Sequence, residues 1–444
     1  MGRYVKWFRE IGIEDVAEVG GKNASLGEMY RNLTEEGVRV PNGFAVTADA
    51  YRYVFDANDV WKKLHDQLDT LDPDDVKQLQ ERGAACRRII EACEIPDDLK
   101  KEILAGYADL KKEYGDALSL AVRSSATAED SPEASFAGQN ETYLNIRGEE
   151  ALLDAYRRCL ASNFTDRSIH YKHDHGFDWS KVFLSVVVMK MVRSDIGASG
   201  VMFSLDTETG FRDVVFINGA WGLGENVVQG TIDPDSFYIH KPTFNKGYRA
   251  VLKRRLGKKE LKMVFTGELN TDNIAVEYTK NVETTEEERA HFCITDTDVM
   301  TLAYYAIKVE NHYSKKAGYD KPMDMEWAKD GLDGHLYMVQ ARPETVESQK
   351  KGNVLEIYRL KERGEVLVTG RAVGMKIGQG KVHIIRDLKE LDSFKPGEVL
   401  VAETTTPDWE PIMKIAAAVV TEKGGRTCHA AIVSRELGIP AVVG

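Results

Sequence analysis

The sequence predicts a multidomain fold of the α+β and α/β classes, and three observations support this prediction. The chain has 444 residues, and at roughly 100 to 200 residues per domain this length corresponds to two to four domains. Helical hydrophobic periodicity in the first part gives way to short apolar runs bounded by Gly and Asp, which are typical of strands. A charged stretch then precedes Gly-rich turns and short strands, which indicates a second, smaller α/β domain.

Local signals define the individual elements in order. Residues 72–95 have apolar side chains at helical spacing, and residues 182–238 contain short strand-like runs. A helix is predicted from the cap candidate Thr295 to Gly318, and another is predicted to begin near His429 and end at Gly438.

These signals predict three parts of the chain. A first domain spans 1–345, with subdomains of about 1–180 and 181–345. A charged linker follows at 346–365, and the smaller domain spans 366–444. The chain ends on an apolar strand-like run at Gly444, so we expect this smaller domain to be incomplete at its carboxy terminus, with neighbouring strands missing.

Composition excludes several classes of protein. With 59 Lys and Arg against 71 Asp and Glu the net charge is −12, which argues against nonspecific binding to nucleic acid or to an anionic membrane. Five Cys without a CxxC pair predict reduced thiols rather than a disulfide framework. No apolar signal segment or membrane span is evident, so a cytoplasmic location is expected.

The first candidate site is Gly20-Gly21-Lys22, which precedes an apolar helical start. Free backbone N–H groups and a mobile ammonium at such a point suit a polyphosphate. The pattern is not a Walker-type phosphate loop, so a plain structural turn remains an alternative.

The second candidate site begins at Arg123, which is followed by a loop of small residues containing Gly138. A guanidinium offers a bidentate fork for phosphate oxygens, and Gly138 lets backbone approach a ligand closely. Arg123 could equally pair with Glu129 or Asp130 in a solvated turn.

The third candidate site is a predicted hairpin centred on Asp333. A symmetric register places Glu326 opposite Gln340 and Asp324 opposite Arg342, all on one face. Hard oxygen ligands beside a phosphate-binding Arg suit Mg²⁺ with a nucleotide. A salt bridge across a surface hairpin is the alternative.

The fourth candidate site is His429, which follows a Gly-rich turn at the predicted helix start, next to Arg426. An exposed neutral imidazole can attack phosphorus, and a helix N-terminus stabilises the phosphoryl group that it then carries. An ordinary histidine is the alternative. Cys428 is expected to be a packed residue, and His170, His173 and His175 are expected to form a solvated loop rather than a metal site.

Taken together, these motifs resemble those of the phosphoenolpyruvate synthase (pyruvate, water dikinase) family, amino-terminal portion. The resemblance covers essentially the whole chain and rests on several long motifs in the same order: GGKNASLGEM, AVRSSATAEDSPEASFAGQNETYLN, WGLGENVVQGTIDPDSFYIH, MDMEWA, VQARPET, TTPDWEP and GGRTCHAAIVSRELGIPAVVG. It implies an ATP-grasp nucleotide-binding domain followed by a swivelling β/β/α phosphohistidine domain, truncated here. The family also has a pyruvate-binding barrel, which we expect this sequence to lack.

The resemblance also implies roles for individual residues. The family binds the ATP phosphates at the positions of Lys22 and Arg123, and its closing loop contains the positions of Gly138 and Thr142. It binds Mg²⁺ and phosphate at the positions of Glu326, Gln340 and Arg342, and its phosphorylated histidine corresponds to His429. Glu326 and Gln340 are the implied metal ligands. In the implied mechanism His429 attacks the β-phosphoryl of ATP, AMP leaves, water removes the terminal phosphate, and the phosphohistidine donates to pyruvate enolate.

Alternatives of other classes stay open at this point. The chain could belong to a pyruvate phosphate dikinase or a rifampicin phosphotransferase-like enzyme, although Arg426-Thr427-Cys428 before His429 favours the water-using synthase. A non-catalytic nucleotide-binding remnant and a generic ATP-grasp ligase are further alternatives. The resemblance also raises a homo-oligomer, and a regulatory kinase acting at Thr427, as partners.

Overall fold

The computed structural model describes residues 3–73, 75–127, 141–266, 279–344, 358–362, 364–374, 376–425 and 428–444. These residues form two compact units. The first contains the described residues up to Val192, Phe265 and Thr266, and Tyr337–Arg342. The second contains Arg193–Val264, Thr279–Leu336 and the described residues from Pro343 onward.

The first unit is built on a five-stranded sheet covered by helices. Its strands, in the spatial order β1-β2-β5-β3-β4, are β1 Val5–Trp7, β2 Gly43–Val46, β3 Leu120–Ala126, β4 Thr142–Ile146 and β5 Leu184–Lys190. Its helices are α1 Val16–Leu33, α2 Ala48–Ala57, α3 Val60–Leu68, α4 Val76–Glu91, α5 Asp97–Tyr114, α6 Glu149–Ala161 and α7 Asp166–Asp174.

Sequence patterning explains this unit. The helix predicted over residues 72–95 is α4, whose Asp75 side chain accepts hydrogen bonds from the backbone N–H groups of Lys77 and Gln78 as an N-cap. Strands β3 and β5 are buried along almost their whole length, and their apolar residues Leu120, Val122, Leu184, Val186 and Val188 belong to the unit's core. β5 lies inside this first sheet, although the sequence pattern groups it with the strands that follow.

The second unit contains strands with the spatial order β12-β6-β7-β8-β9, which are β6 Ala198–Phe203, β7 Val214–Trp221, β8 Asp235–His240, β9 Val251–Arg255 and β12 Met323–Lys329. Strand β13, Leu336–Pro343, follows β12 in the chain, and most of it, Tyr337–Arg342, belongs to the first unit. A separate pair comprises β10 Leu261–Phe265 and β11 Thr279–Glu283. The helices are α8 Glu225–Val228, α9 Lys241–Phe244, α10 Glu286–Ala290 and α11 Asp296–Ala317.

The helix predicted from Thr295 to Gly318 is confirmed as α11. Thr295 and Asp298 form a reciprocal capping box at its start, and Gly318 ends it in the left-handed conformation at φ 78°.

A second, five-stranded sheet lies in the carboxy-terminal part of this unit, in the order β14-β18-β17-β16-β15. Its strands are β14 Arg371–Val373, β15 Val382–Ile384, β16 Val399–Ala402, β17 Ala418–Thr421 and β18 Ala441–Val443, with helices α12 Glu410–Met413 and α13 His429–Leu437. It has its own hydrophobic core. The expectation that the last strand lacks neighbours is wrong, because β18 pairs with β17 on one side and β14 on the other.

Two global features concern cysteines and membranes. All five cysteines are free and buried, as the reduced-thiol prediction requires. None of the helices within the described ranges is long and apolar enough to cross a membrane.

Candidate active site

Lys22 lies on α1, just after a break in that helix. Gly20 adopts φ 74° and ψ 165°, which is not helical, and the chain resumes the helix immediately afterwards. A Cβ on Gly20 would lie 2.3 Å from Ser125 Oγ and 2.4 Å from Ser125 O. Glycine is therefore required here by both conformation and space. The double glycine predicted as a turn before a helix is a break inside one.

The break brings α1 against β3. Lys22 Nζ donates a hydrogen bond to the Ser124 carbonyl oxygen at 3.2 Å, and the Asn23 backbone N–H donates to Ser125 Oγ at 3.3 Å. Asn23 is fully buried, and its side-chain amide donates to Ser185 Oγ on β5 at 2.8 Å. This anchoring of the residue next to Lys22 holds the lysine side chain beside β3.

Arg123, on β3, contacts the distant segment Tyr337–Arg342. Its Nη1 donates to the Val339 carbonyl oxygen at 3.2 Å and its Nη2 to Gln340 Oε1 at 2.7 Å. Ser25 Oγ donates to the Ala341 carbonyl oxygen at 2.5 Å. Three segments separated by more than 100 residues in sequence thus meet within the first unit. The proposed pairing of Arg123 with Glu129 or Asp130 involves residues outside the described ranges.

Thr142 begins β4 and lies directly opposite Arg123 in the antiparallel β3–β4 pair. Residues opposite each other in such a pair present their side chains on the same face of the sheet. Thr142 is exposed, which leaves its hydroxyl accessible to a ligand on that face. Gly138, the other residue assigned to the closing loop, lies outside the described residues.

Glu326 belongs to the second unit, on β12. It pairs with Val201 on β6 and is half-buried. At the open end of the β12–β13 hairpin the Glu344 N–H donates to the Pro322 carbonyl oxygen at 2.8 Å, which agrees with the register expected from the sequence.

His429 is the first residue of α13. The helix begins after Cys428, which has extended backbone, and ends at Gly438 in the left-handed conformation, as the sequence predicts. His429 Nδ1 lies 2.9 Å from the buried hydroxyl of Thr405. Burial lowers the pKa of His429 below its usual 6.5, and the negative charges of Glu410 and Asp408 oppose this effect only in part. The imidazole is therefore mainly neutral at pH 7.

Thr405 is a site residue that sequence reasoning did not single out. It lies just after β16, at the carboxyl end of a parallel strand, where loops commonly carry functional groups. Its signal was the TTPDWEP motif, but nothing in that motif identifies the particular threonine that reaches His429. Arg426 and Thr427 lie outside the described residues, while Cys428 is buried as expected.

The histidines near residue 170 occupy a helix and its end rather than a loop. His170 and His173 lie on α7, where His170 Nδ1 is 3.1 Å from Asp174 Oδ2. Within the described ranges no group of three or more His, Cys, Asp or Glu side chains could hold a metal ion.

The chain matches two known protein families and several curated proteins. Residues 16–362 match the family described as pyruvate phosphate dikinase, AMP/ATP-binding domain, and residues 394–444 match the PEP-utilising enzyme, mobile domain. The chain is 52% identical to the phosphoenolpyruvate synthase of Synechocystis sp. over 99% of its own length and 54% of that protein. It is 53% identical to that of Pseudomonas aeruginosa, over 100% of the chain and 55% of the relative, and 51% identical to that of Helicobacter pylori, over 100% and 55%.

These matches confirm the resemblance inferred from the motifs. The chain spans about half the length of the curated relatives it matches. The range that matches the AMP/ATP-binding domain contains Lys22, Arg123 and Gln340, and the range that matches the mobile domain contains His429.

Proposed function

Because the chain belongs to the family that carries the pyruvate phosphate dikinase AMP/ATP-binding domain, we propose that it is the ATP-using part of a phosphoenolpyruvate synthase. The complete reaction converts ATP, pyruvate and water to AMP, phosphoenolpyruvate and phosphate through a phosphohistidine. The observation that carries this proposal is the convergence of Lys22, Arg123 and Gln340 from three distant segments.

The proposed ATP site lies in the first unit and follows the ATP-grasp plan. Lys22 and Arg123 bind the phosphates, since a mobile ammonium and a planar fork together neutralise several phosphate oxygens. Arg342 adds a further guanidinium, and Gly138 with Thr142 closes over the nucleotide. In this proposal the nucleotide domain spans 1–345, and a linker at 346–365 lets the domain at 366–444 move.

Mg²⁺ is the proposed cofactor, held by Glu326 and Gln340. One carboxylate and one amide oxygen are hard donors, and Mg²⁺ commonly takes few protein ligands and completes its shell with water and phosphate. Gln340 Oε1 already accepts one hydrogen bond from Arg123, and the second lone pair of that oxygen remains compatible with a metal. A bound Mg²⁺ would neutralise phosphate charge.

His429 is the proposed nucleophile. With its Nδ1 bonded to Thr405, Nε2 is the ring nitrogen left to react, provided that the proton resides on Nδ1 and is donated to the threonine oxygen. Nε2 forms a bond to the β-phosphorus of ATP, the bond from that phosphorus to the oxygen shared with the α-phosphorus breaks, and AMP leaves with that oxygen and the electron pair. Water then releases the terminal phosphate and leaves phosphohistidine.

The proposal is tested by exchanging Arg123 for lysine. Arg123→Lys keeps the charge, but an ammonium cannot replace the two-pronged guanidinium that we propose for the phosphate oxygens. Each hydrogen bond in which a charged group takes part is worth about 1.5 to 3 kcal/mol. MgATP affinity should fall by roughly tenfold or more, as measured by calorimetry. Arg82→Lys is the matched control, since Arg82 also makes two hydrogen bonds, to Gln67 O and Thr70 Oγ1, elsewhere in the same unit.

Equal MgATP affinity for Arg123→Lys and the unsubstituted chain would remove Arg123 from the nucleotide site. An equal loss in Arg82→Lys would show that the effect is one of general stability.

A further inference from the structure

Glu208 connects the carboxy-terminal sheet, which contains β14 to β18 with α12 and α13, to the rest of the second unit. It lies in the tight loop between β6 and β7, where the Gly210 N–H donates to the Asp206 carbonyl oxygen at 2.8 Å. Both Nε and Nη2 of Arg435, on α13, donate to Glu208 Oε1, the former at 3.0 Å. The Gly374 backbone N–H donates to Oε2 at 3.1 Å. The two charged side chains are only 8% and 7% exposed, so water screens the pair weakly.

Asp233 makes a second connection between the same two parts. Its carboxylate receives a bidentate pair of hydrogen bonds from Arg255 on β9, at 3.0 and 2.7 Å. Arg371 Nη2, from β14, donates to the same Oδ1 that Arg255 Nη1 contacts. One carboxylate is thus shared by two guanidinium groups, of which one belongs to the nucleotide-domain match and the other lies beyond it.

Both connections act close to His429. Arg435 lies on the nine-residue helix that His429 begins. Arg371 lies under the Gly-rich turn before that helix, because a Cβ on Gly425 would be 3.2 Å from its Nη1. Between the two connections, Gly230 touches the residue before His429, since a Cβ at position 230 would lie 1.8 Å from Cys428 Cβ. The contacts therefore fix the start of α13 relative to the β6–β9 sheet.

The chemistry of these contacts suits a reversible attachment. The carboxy-terminal sheet and its helices pack a hydrophobic core of their own, which includes Leu400, Met413 and Val419. Burying an ion pair is close to neutral in free energy when hydrogen bonding is complete, whereas bidentate guanidinium geometry is directional. Such contacts define an orientation without making attachment permanent.

We propose that Glu208 and Asp233 are positioning residues that clasp Arg435 and Arg371, and that they hold the start of α13, with His429, against the sheet that contains β6 to β9. This inference rests on the proposed function and assigns to it the residues that orient the histidine. Neither carboxylate touches the histidine or the reacting atoms.

The contact itself is tested without ATP. Glu208→Ala removes the acceptor of the Gly374 N–H, so hydrogen exchange at that amide should accelerate by roughly tenfold or more. The matched control is Arg254→Gln, which removes an exposed ion pair to Asp296 in the same unit and should leave Gly374 exchange unchanged. Unchanged exchange in Glu208→Ala would overturn the clasp whether or not His429 is ever phosphorylated.

The positioning role is tested by charge reversal. Glu208→Arg and Arg435→Glu should each slow ATP-dependent labelling of His429 by roughly tenfold or more, because each brings two like charges together where water screens them weakly. MgATP affinity should stay within about twofold of the unsubstituted value, since these residues do not touch the nucleotide. The double variant Glu208→Arg with Arg435→Glu restores the pair in reverse and should regain at least about threefold in labelling rate over either single variant.

Two results would overturn the positioning role of Glu208, and a third would instead contradict the proposed function. Normal labelling in Glu208→Arg would refute it, as would a folded double variant that is no faster than the single variants. Absence of labelling in the unsubstituted chain would contradict the proposed function, while the Gly374 exchange experiment would still decide whether the clasp exists.

Discussion

Replacing Gly20 by alanine tests whether the break in α1 assembles the proposed nucleotide site. The backbone at Gly20, φ 74° and ψ 165°, falls in a region that other residues occupy only at a cost of about 1 to 3 kcal/mol. The new methyl would also lie 2.3 Å from Ser125 Oγ and 2.4 Å from Ser125 O. Relieving such an overlap in a packed site typically costs about 1 to 3 kcal/mol more. We therefore expect Gly20→Ala to lower the free energy of unfolding by about 2 to 6 kcal/mol.

Gly37→Ala is the matched control for that experiment. Gly37 also has a positive φ, 89°, but a Cβ there would have no neighbour within 4 Å. It should therefore show only a conformational cost, about 1 kcal/mol. Both variants are compared by urea unfolding, with the slope against urea checked for constancy.

The functional consequence separates the two glycines further. Any shift of Ser125 moves the Ser124 carbonyl to which Lys22 is bonded, so MgATP affinity should fall by roughly tenfold in Gly20→Ala. It should remain unchanged in Gly37→Ala. Equal stability losses in the two variants, or undiminished ATP affinity in Gly20→Ala, would refute the reasoning that the α1–β3 contact builds the site.

Three further predictions concern buried polar groups. Burial lowers the pKa of Lys172 from 10.5 to about 7, so the folded chain binds fewer protons than the unfolded chain and stability should rise as pH rises from 7 towards 10.5. Relative to Lys172→Met, the unfolding free energy should increase by about 3 kcal/mol between pH 7 and pH 10, and parallel profiles would contradict this. An imidazole with a pKa of 6.5 is roughly one quarter neutral at pH 6. Because burial lowers the pKa of His429, its labelling rate at pH 6 should exceed one quarter of the plateau rate reached at higher pH. A rate at or below about one quarter of the plateau would contradict the lowered pKa. Thr405→Val should slow labelling without changing MgATP affinity, because it removes the bond that orients the ring, and an unaltered rate would refute that role.

Local sequence signals predicted much of the secondary structure. Thr295 and Gly318 delimit α11 because capping and left-handed termination depend on residues within a few positions of the helix end. The same holds for the end of α13 at Gly438. Lys22, Arg123 and Gln340 could also be selected from the sequence, because their motifs resemble those of a known family.

Features that depend on distant contacts could not be predicted. The break at Gly20 is required by Ser125, about a hundred positions away, and no local pattern reveals it. The contact of Thr405 with His429 depends on the alignment of β16 with α13. The pairing of Glu208 with Arg435 spans 227 positions, and both residues look like ordinary surface charges in the sequence.

Direct labelling tests the proposal that His429 receives a phosphoryl group from the β position of ATP. Incubated with Mg²⁺ and ATP labelled at the β-phosphate, the chain should acquire acid-labile, base-stable label and release AMP in proportion. His429→Gln should acquire none while still binding MgATP, and peptide mapping should locate the label on His429. Label on another residue, label that persists in His429→Gln, or MgATP binding by the folded chain with no label at all would contradict the account.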